Sequence, residues 1–422
     1  MATIKPFDAV FYNINKVKDY QLVMAPPYDV INEEYQTELH NRSPYNFTQI
    51  DLAKEKSEDT ASDNRYTRAN VIFDQWLKEK IMIKDKEPGI YVYRQEYKVQ
   101  GEKHNRLGFV ALMELPNAGE SKVHPHEKTH ANAVNDRLEL TKALNSNLSC
   151  IFVCYSDVQR KVEAIFNKQL CAQEPLIDVV DENDVRNKVW RLTDKDAIAD
   201  ISASLDGQNL FIADGHHRYQ VAGEYRQHCI EQKGSTDGTE PFNYVMTYFT
   251  NMDSKDLQIF PMHRIMRKFP EDIEFLEEFF RIDKVKTKEE LLILLAKAGQ
   301  NEHAFGLYTK QGIKLLRLKN KTLIEKHIKE GTADYKKLDA TILKTFVFDR
   351  LGIPSDDNIV YTKDLSDIIS MVDQGKADAG FVMNAVKIQQ LKDIALNGER
   401  MPPKTTYFYP KVLSGLTVYK MD

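Results

Sequence analysis

Apolar residues recur every three or four positions through Tyr66, Ala69, Ile72, Phe73, Trp76 and Leu77. That spacing predicts an amphipathic helix just after the polar stretch Lys54–Asn64. The period then shortens. Gly89–Tyr97 and Leu107–Met113 are rich in β-branched and aromatic residues and flank the turn-like Gln100–Asn105, which predicts a β-hairpin. Helical spacing returns after Asn135 (Leu138, Leu140, Ala143, Leu144) and yields to a buried strand, Cys150–Tyr155. Asn209–Asp214 reads as a short apolar strand turning through Gly215 into a helix, with Tyr219, Ala222 and Tyr225 on one face. Glu231–Pro241 reads as a surface loop and Tyr244–Phe249 as a strand. After His263-Arg264 the texture changes: Glu274–Phe280 and Lys288–Ala298 read as helices, Ala304–Leu318 as a hairpin, and Lys319–Lys337 as charged surface.

These alternations predict a mixed α/β (α+β) fold with a soft boundary near Met266. Residues 1–265 carry the core, 266–400 an additional α+β domain, and 401–422 a C-terminal segment returning toward the site. No internal repeat interrupts this order. The 422 residues are 42% hydrophobic and 29% charged, ordinary for a chain with a substantial core. Lysine and arginine number 58 against 63 acidic residues, a net charge of −5 that gives no bulk drive toward nucleic acid or an anionic membrane. No apolar run exceeds six residues, whereas a spanning helix needs about 20. The first residues lack the apolar stretch of a signal peptide. Cys150, Cys154, Cys171 and Cys229 form no CxxC pair, so neither a disulfide scaffold nor a Cys-based zinc site is expected; Cys150 and Cys154, in an apolar run, read as small buried hydrophobes, and a reducing cytoplasm fits. A homodimer is compatible with all of this.

Candidate chemistry concentrates at Asp214-Gly215-His216-His217-Arg218. A strand that turns through glycine into a helix N-terminus leaves backbone N–H groups pointing outward, where they attract an anion. Glycine permits the turn and a close ligand approach. The two histidines and the forked guanidinium add side-chain donors, and Asp214 at the rim is placed to hold Mg²⁺ or orient a histidine. The bland alternative is a capped helix whose histidines satisfy local carbonyls. Four titratable groups in five residues at the carboxyl end of a strand weigh against it.

Other segments are weaker alone. His126-Glu127-x-x-His130 formally matches a zinc-protease pattern, but Pro125 directly precedes it and no third ligand is marked by spacing. A phosphate- or metal-facing loop at Glu127 is the favoured reading. Asp136-Arg137 reads equally as a structural ion pair or a site pair. Pro26-Pro27-Tyr28-Asp29 holds a carboxylate on a stiff turn. His263-Arg264 ends a strand with two cations, for which a core ion pair is an equal explanation. Pro402-Pro403-Lys404-Thr405 places a lysine and a hydroxyl after rigid residues.

Together these segments resemble one widespread bacterial family catalogued as a domain of unknown function. The resemblance rests on Ala25–Ile31, His126–Thr129 with Asp136–Leu138, Ala213–Tyr219, Pro261–Arg264 and Met401–Lys411, in that order along nearly the whole chain. The Asp214–Arg218 segment also resembles the signature of the ParB/sulfiredoxin-like superfamily, which includes free serine kinases. The resemblance implies a ParB/sulfiredoxin-like mixed core that binds nucleotide or phosphate at this turn. It further implies phosphoryl transfer between ATP, ADP or pyrophosphate and serine, or the reverse from O-phosphoserine.

Phosphoryl transfer needs neutralised phosphate oxygens, an in-line acceptor and a carboxylate near the acceptor hydroxyl. The expected catalytic groups are Asp29, Glu127, Asp214 and His217. Gly215, His216, Arg218, Lys404 and Thr405 are expected at the phosphates or nucleotide. Arg137, His263 and Arg264 are expected at the substrate, with Mg²⁺ on Asp214 or Glu127. The competing classes are a regulatory protein that binds nucleotide or phosphoserine without turnover, a phosphoserine phosphatase, and a zinc hydrolase.

Overall fold

The computed structural model describes residues 4–117, 119, 121–171, 173–352 and 358–421. The fold is mixed α+β. It divides into two compact units, one of Met1–Pro125, Thr129–Leu257 and Pro410–Asp422, the other of His126–Lys128 and Gln258–Tyr409.

The first unit is built on a nine-stranded sheet. Its strands in chain order are β1 (Ile4–Lys5), β2 (Ile90–Val99), β3 (Glu102–Glu114), β4 (Val123–His124) and β5 (Ile151–Tyr155). Then come β6 (Ile177–Val180), β7 (Arg186–Leu192), β8 (Leu210–Asp214) and β9 (Tyr244–Asn251). Across the sheet the order is β4-β8-β5-β9-β3-β2-β7-β6, with β1 added alongside β3. Pairing is mixed: β9 runs parallel to β5, while β8 runs antiparallel to it and parallel to β4.

The helices that matter for the site are α1 (Arg65–Lys78), α2 (Ala131–Leu144), α3 (Lys161–Leu170), α4 (Lys195–Leu205) and α5 (His216–Lys233). Helix α1 carries the predicted apolar stripe and starts at a reciprocal cap, in which Asn64 and Thr67 satisfy each other's backbone N–H groups. Helix α2 opens only at Ala131. His126 and His130 therefore do not share a helical face, and the zinc-protease geometry is not formed.

The alternation of the strands sorts the sheet into two unlike faces. Val92, Phe109, Ile151, Val153, Ile212 and Phe249 form a buried apolar core with Val162 and Phe166 of α3 and Ile201 and Leu205 of α4. The opposite face buries Tyr93, Gln95, Arg106, Cys154, Asn187 and Tyr248. Arg106 lies over the rings of Phe152 and Tyr248, at 4.8 and 5.7 Å from their centroids. It donates to Gln95 and, at 2.6 Å, to the Pro410 carbonyl.

One sequence expectation shifts here. The β2–β3 turn is Gln100-Gly101 alone, with Val99 facing Glu102. Both turn residues have positive φ (50° and 86°), the twist that suits a two-residue hairpin. The polar residues from Glu102 to Asn105, read as turn, continue the ladder because strand pairing extends beyond the buried part of the sheet.

The second unit holds a six-stranded sheet with antiparallel pairing. Its strands are β10 (His263–Met266), β11 (Phe280–Val285), β12 (Ala304–Thr309), β13 (Gly312–Leu318), β14 (Ile359–Thr362) and β15 (Ala379–Val382), in the order β11-β13-β12-β15-β10-β14. One face packs Phe280, Phe305, Leu316 and Phe381 against Phe279 and Phe346. The other packs Ile265, Leu315 and Val382 against Leu291, Leu295, Ile368 and Val372. Gln258–Pro261 pairs with Thr406–Tyr409 in a separate ladder. Phe280, read as the end of a helix, instead opens β11 after a 3₁₀ turn at Glu274–Glu278. Lys319–Lys337 contains two short helices, Thr322–His327 and Ala333–Lys336. Among the described residues no helix is long and apolar enough to cross a membrane.

Gly108 sits where β3 passes between β2 and β9. A Cβ there would lie 2.3 Å from the Phe249 carbonyl oxygen and 2.6 Å from the Tyr248 ring. Gly108→Ala is expected to destabilise the first unit by about 1–3 kcal/mol, read as a lowered denaturation midpoint with an unchanged slope.

Candidate functional site

The site begins with an irregularity in β8. Phe211 faces Cys154 and Ile212 faces Val153, but Asp214 faces Phe152, so Ala213 is an extra residue. Side chains alternate strictly along a strand, so without this bulge Asp214 would share the apolar face with Leu210 and Ile212. The bulge turns it to the polar face. Gly215 follows with φ of 87° and caps α5 without a side-chain hydrogen bond. A Cβ on Gly215 would meet the Arg218 Nε at 3.1 Å, so glycine also makes room for the guanidinium.

Asp214 binds two cations. Its Oδ2 accepts from Arg218 at 3.0 Å and its Oδ1 from Lys411 at 2.9 Å. The side chains are 17%, 13% and 12% exposed for Asp214, Arg218 and Lys411, so water screens the pairs weakly. Burial alone would raise the Asp214 pKa, but Lys411 and Arg218 outweigh it and hold the carboxyl well below its usual range. Arg218 also donates to the Cys150 carbonyl, while its buried Nε finds no acceptor among the described residues.

Arg218 reaches a second cluster. A cavity of about 40 Å³ is lined by Tyr28, Asp51, Arg137, Ser149 and Arg218, with Leu140 and Val221 among its apolar walls. Asp51 is buried, and burial raises its carboxyl pKa against the opposing pull of Arg137 and Arg218. Arg137 donates to the Asp51 carbonyl at 2.6 Å and lies 4.4 Å from the centroid of the Tyr28 ring. It also pairs with Asp136, which accepts from Tyr66 at 2.8 Å and from Arg65 at 2.6 Å. The ion-pair reading of Asp136-Arg137 is thus seen in the structure. Asp29, on the short turn after Pro26-Pro27, lies within electrostatic reach of Tyr28 and Arg218.

The two histidines diverge, as adjacent helical residues must. His216 is buried within electrostatic reach of Asp214. His217 stacks on His130 at 5.9 Å, and its Nε2 accepts the His130 backbone N–H at 3.0 Å, which assigns the neutral ring's proton to Nδ1.

Glu127, Lys404, Thr405, His263 and Arg264 belong to the second unit. Glu127 Oε1 accepts the Lys404 backbone N–H at 2.9 Å, and Lys404 adopts a left-handed conformation (φ 53°). Thr405 is buried and donates its hydroxyl to the Pro402 carbonyl. His126 Nε2 meets the Thr406 hydroxyl at 3.1 Å. His263 is buried and neutral: burial pulls its pKa down to about 4, and its Nδ1 accepts from the Met383 N–H. Burial also pulls Arg264 down to about 10, so it stays charged, over the Tyr361 ring and within reach of Glu127.

Asp214 was expected at a metal or beside a histidine, and its carboxylate meets two cations. Hard cations need several oxygens free to coordinate, and both oxygens of Asp214 are engaged by cations. Among the described residues no group of three His, Cys, Asp or Glu side chains clusters as a ligand set. The structure adds side chains that the sequence reading omitted. Lys411 ends the Met401–Lys411 segment, and the lysine after Pro410 was its available signal. Asp51 and Tyr28 had none beyond Tyr28's place beside Asp29.

The chain belongs to the family described as "Protein of unknown function (DUF1015)", whose model matches residues 4–341. A search of curated proteins finds no match. Solved structures similar to this chain include a free serine kinase in complex with AMP (14% identity, 68% of this chain and 83% of that one, TM-score 0.35). A conserved hypothetical protein from Pyrococcus furiosus also matches (14% identity, 71% and 92%, TM-score 0.35). So does a C-terminally truncated SbnI from Staphylococcus aureus (10% identity, 73% and 87%, TM-score 0.37).

His263 carries a pH prediction. Its folded pKa lies below the ordinary value of 6.5, so the unfolded chain binds the proton more readily. Its contribution is fully present above about pH 6.5 and is lost as the pH falls toward 4. Chemical denaturation from pH 7 to 4 should show the second unit losing stability over this window, with a shallower loss in His263→Gln.

Proposed function

We propose that this chain is a phosphotransferase that interconverts free L-serine and O-phosphoserine, using ATP, ADP or pyrophosphate as the phosphate partner. The observation that carries this reading is the charge arrangement at the β8–α5 turn. One carboxylate, Asp214, holds two cations, Arg218 and Lys411, beside a helix N-terminus, with Asp29 and Asp51 also within electrostatic reach of Arg218. Such a pole favours phosphate oxygens. The resemblance of Asp214–Arg218 to the ParB/sulfiredoxin-like signature points to the same chemistry and to a core of that type.

In this reading the Gly215 turn, His216 and Arg218 hold the phosphates. Asp214 orients Arg218 and remains ionised. The cavity lined by Asp51 and Arg137 offers a carboxylate for serine's ammonium and a guanidinium for its carboxylate, the complement of a small zwitterion. During transfer the serine Oγ–P bond forms and the P–O bond to the leaving phosphate or nucleotide breaks. Asp29 is the carboxylate that takes the Oγ proton. Mg²⁺ enters bound to the donor's phosphates, as part of the substrate. A cytoplasmic place in serine metabolism follows from this chemistry.

Phosphorus NMR tests it: protein and Mg²⁺ with serine and each donor, and O-phosphoserine alone or with ADP or phosphate. Donor-dependent O-phosphoserine, or its loss with matching donor formation, is the expected result. Release of free phosphate without an acceptor would make the protein a phosphatase. Binding without any product would make it a regulator. Arg218→Lys, which keeps the charge but loses the fork, is expected to lower kcat/KM by about 10²–10³-fold. His217→Gln, which keeps an acceptor for the His130 N–H, tests whether the imidazole itself is needed; unchanged turnover would remove it from the mechanism.

A further inference from the structure

We propose that the ammonium of Lys411 stands on Asp214 in place of a divalent cation, so that the C-terminal segment delivers the site's built-in cation. The role of this cation in phosphoryl transfer rests on the reading above; its placement does not.

Three observations support it. Lys411 Nζ lies 2.9 Å from Asp214 Oδ1, the oxygen that Arg218 leaves open by taking Oδ2. A metal on this carboxylate would have to share it with two nearly buried cations. The lysine is also held from behind. Gln95 donates to the Lys411 carbonyl at 2.9 Å, and the fully buried Arg106 donates to the Pro410 carbonyl at 2.6 Å. Further along, Ser414 and Ala25 exchange backbone hydrogen bonds, as do Val418 and Val10. Lys411 therefore arrives on an anchored strap, and little side-chain freedom remains to be lost when it meets Asp214. Finally, an ammonium is a compact single charge with three donors, of which Asp214 takes one.

The test is a Mn²⁺ titration followed by electron paramagnetic resonance on the full chain without nucleotide. The native protein is expected to take up no Mn²⁺ at Asp214. Lys411→Met, which keeps the stem and the anchored backbone, is expected to take up none either, because Asp214 alone is no ligand set. Lys411→Arg should likewise exclude the metal. A native Mn²⁺ site abolished by Asp214→Asn would overturn the proposal, as would a folded Lys411→Met that binds pyrophosphate as tightly as the native protein. Should Lys411→Met fail to fold, Lys411→Gln takes its place.

Calorimetry with inorganic pyrophosphate in EDTA separates the cation from the reaction. Native protein is expected to bind it, Lys411→Met at least tenfold more weakly, and Lys411→Arg nearly as well as native. If the Mn²⁺ results hold but no variant binds pyrophosphate, the phosphotransferase reading fails while the placement of the cation stands.

Discussion

A guanidinium taken out of water must be compensated, and the first unit is arranged around compensating Arg218. Asp214 supplies the countercharge, but Asp214 is itself buried, and a second cation helps to offset that burial. Lys411 is that cation. The Ala213 bulge turns the carboxylate to the correct face, and Gly215 clears space for the guanidinium. Remove any one of these and an unpaired charge is left in a weakly screened interior, which costs far more than the loss of a surface ion pair.

The division of the sheet into unlike faces makes this arrangement tenable. The apolar face, sealed by α3 and α4, supplies the hydrophobic stability and holds the strands rigid. The other face can then carry Gln95, Arg106 and Asn187 at full burial. Arg106 spreads its charge over two aromatic rings as well as polar acceptors, so a cation in mid-sheet is accommodated without a directly opposed carboxylate on β2. The β8–α5 turn at the end of such a strand inherits the rigidity of the whole sheet.

Much of this order could be read from residue pattern. The stripe from Tyr66 to Leu77, the hairpin around Gly101 and the strand–glycine–helix transition at Asp214 are local signals, and local spacing was enough to place them. What escaped was non-local. A bulge depends on the register of a partner strand, and nothing around Ala213 announces that β5 will face it two-for-one. Lys411 is an ordinary basic residue until the fold sets it against Asp214. Asp51 lies between Ile50 and Leu52, and nothing in that local pattern announces the Arg137 and Tyr28 that line its cavity. Phe280 was assigned to a helix because aromatic residues suit either period, and only its partner Leu318 makes it a strand residue.

The contacts that complete the anion pole are also among the longest in sequence. Asp214 and Lys411 are 197 residues apart, and Gln95 and the Lys411 carbonyl 316. Closing such loops is entropically slow, and on the ribosome Lys411 is made long after β8 and Arg218 have emerged. For that interval Asp214 and Arg218 exist without the lysine, and the polar face of the sheet lies uncovered by the strap. The pole is thus completed late in the life of the nascent chain, and a chain whose translation stops short of Pro410 lacks both the lysine and the carbonyl that Arg106 meets.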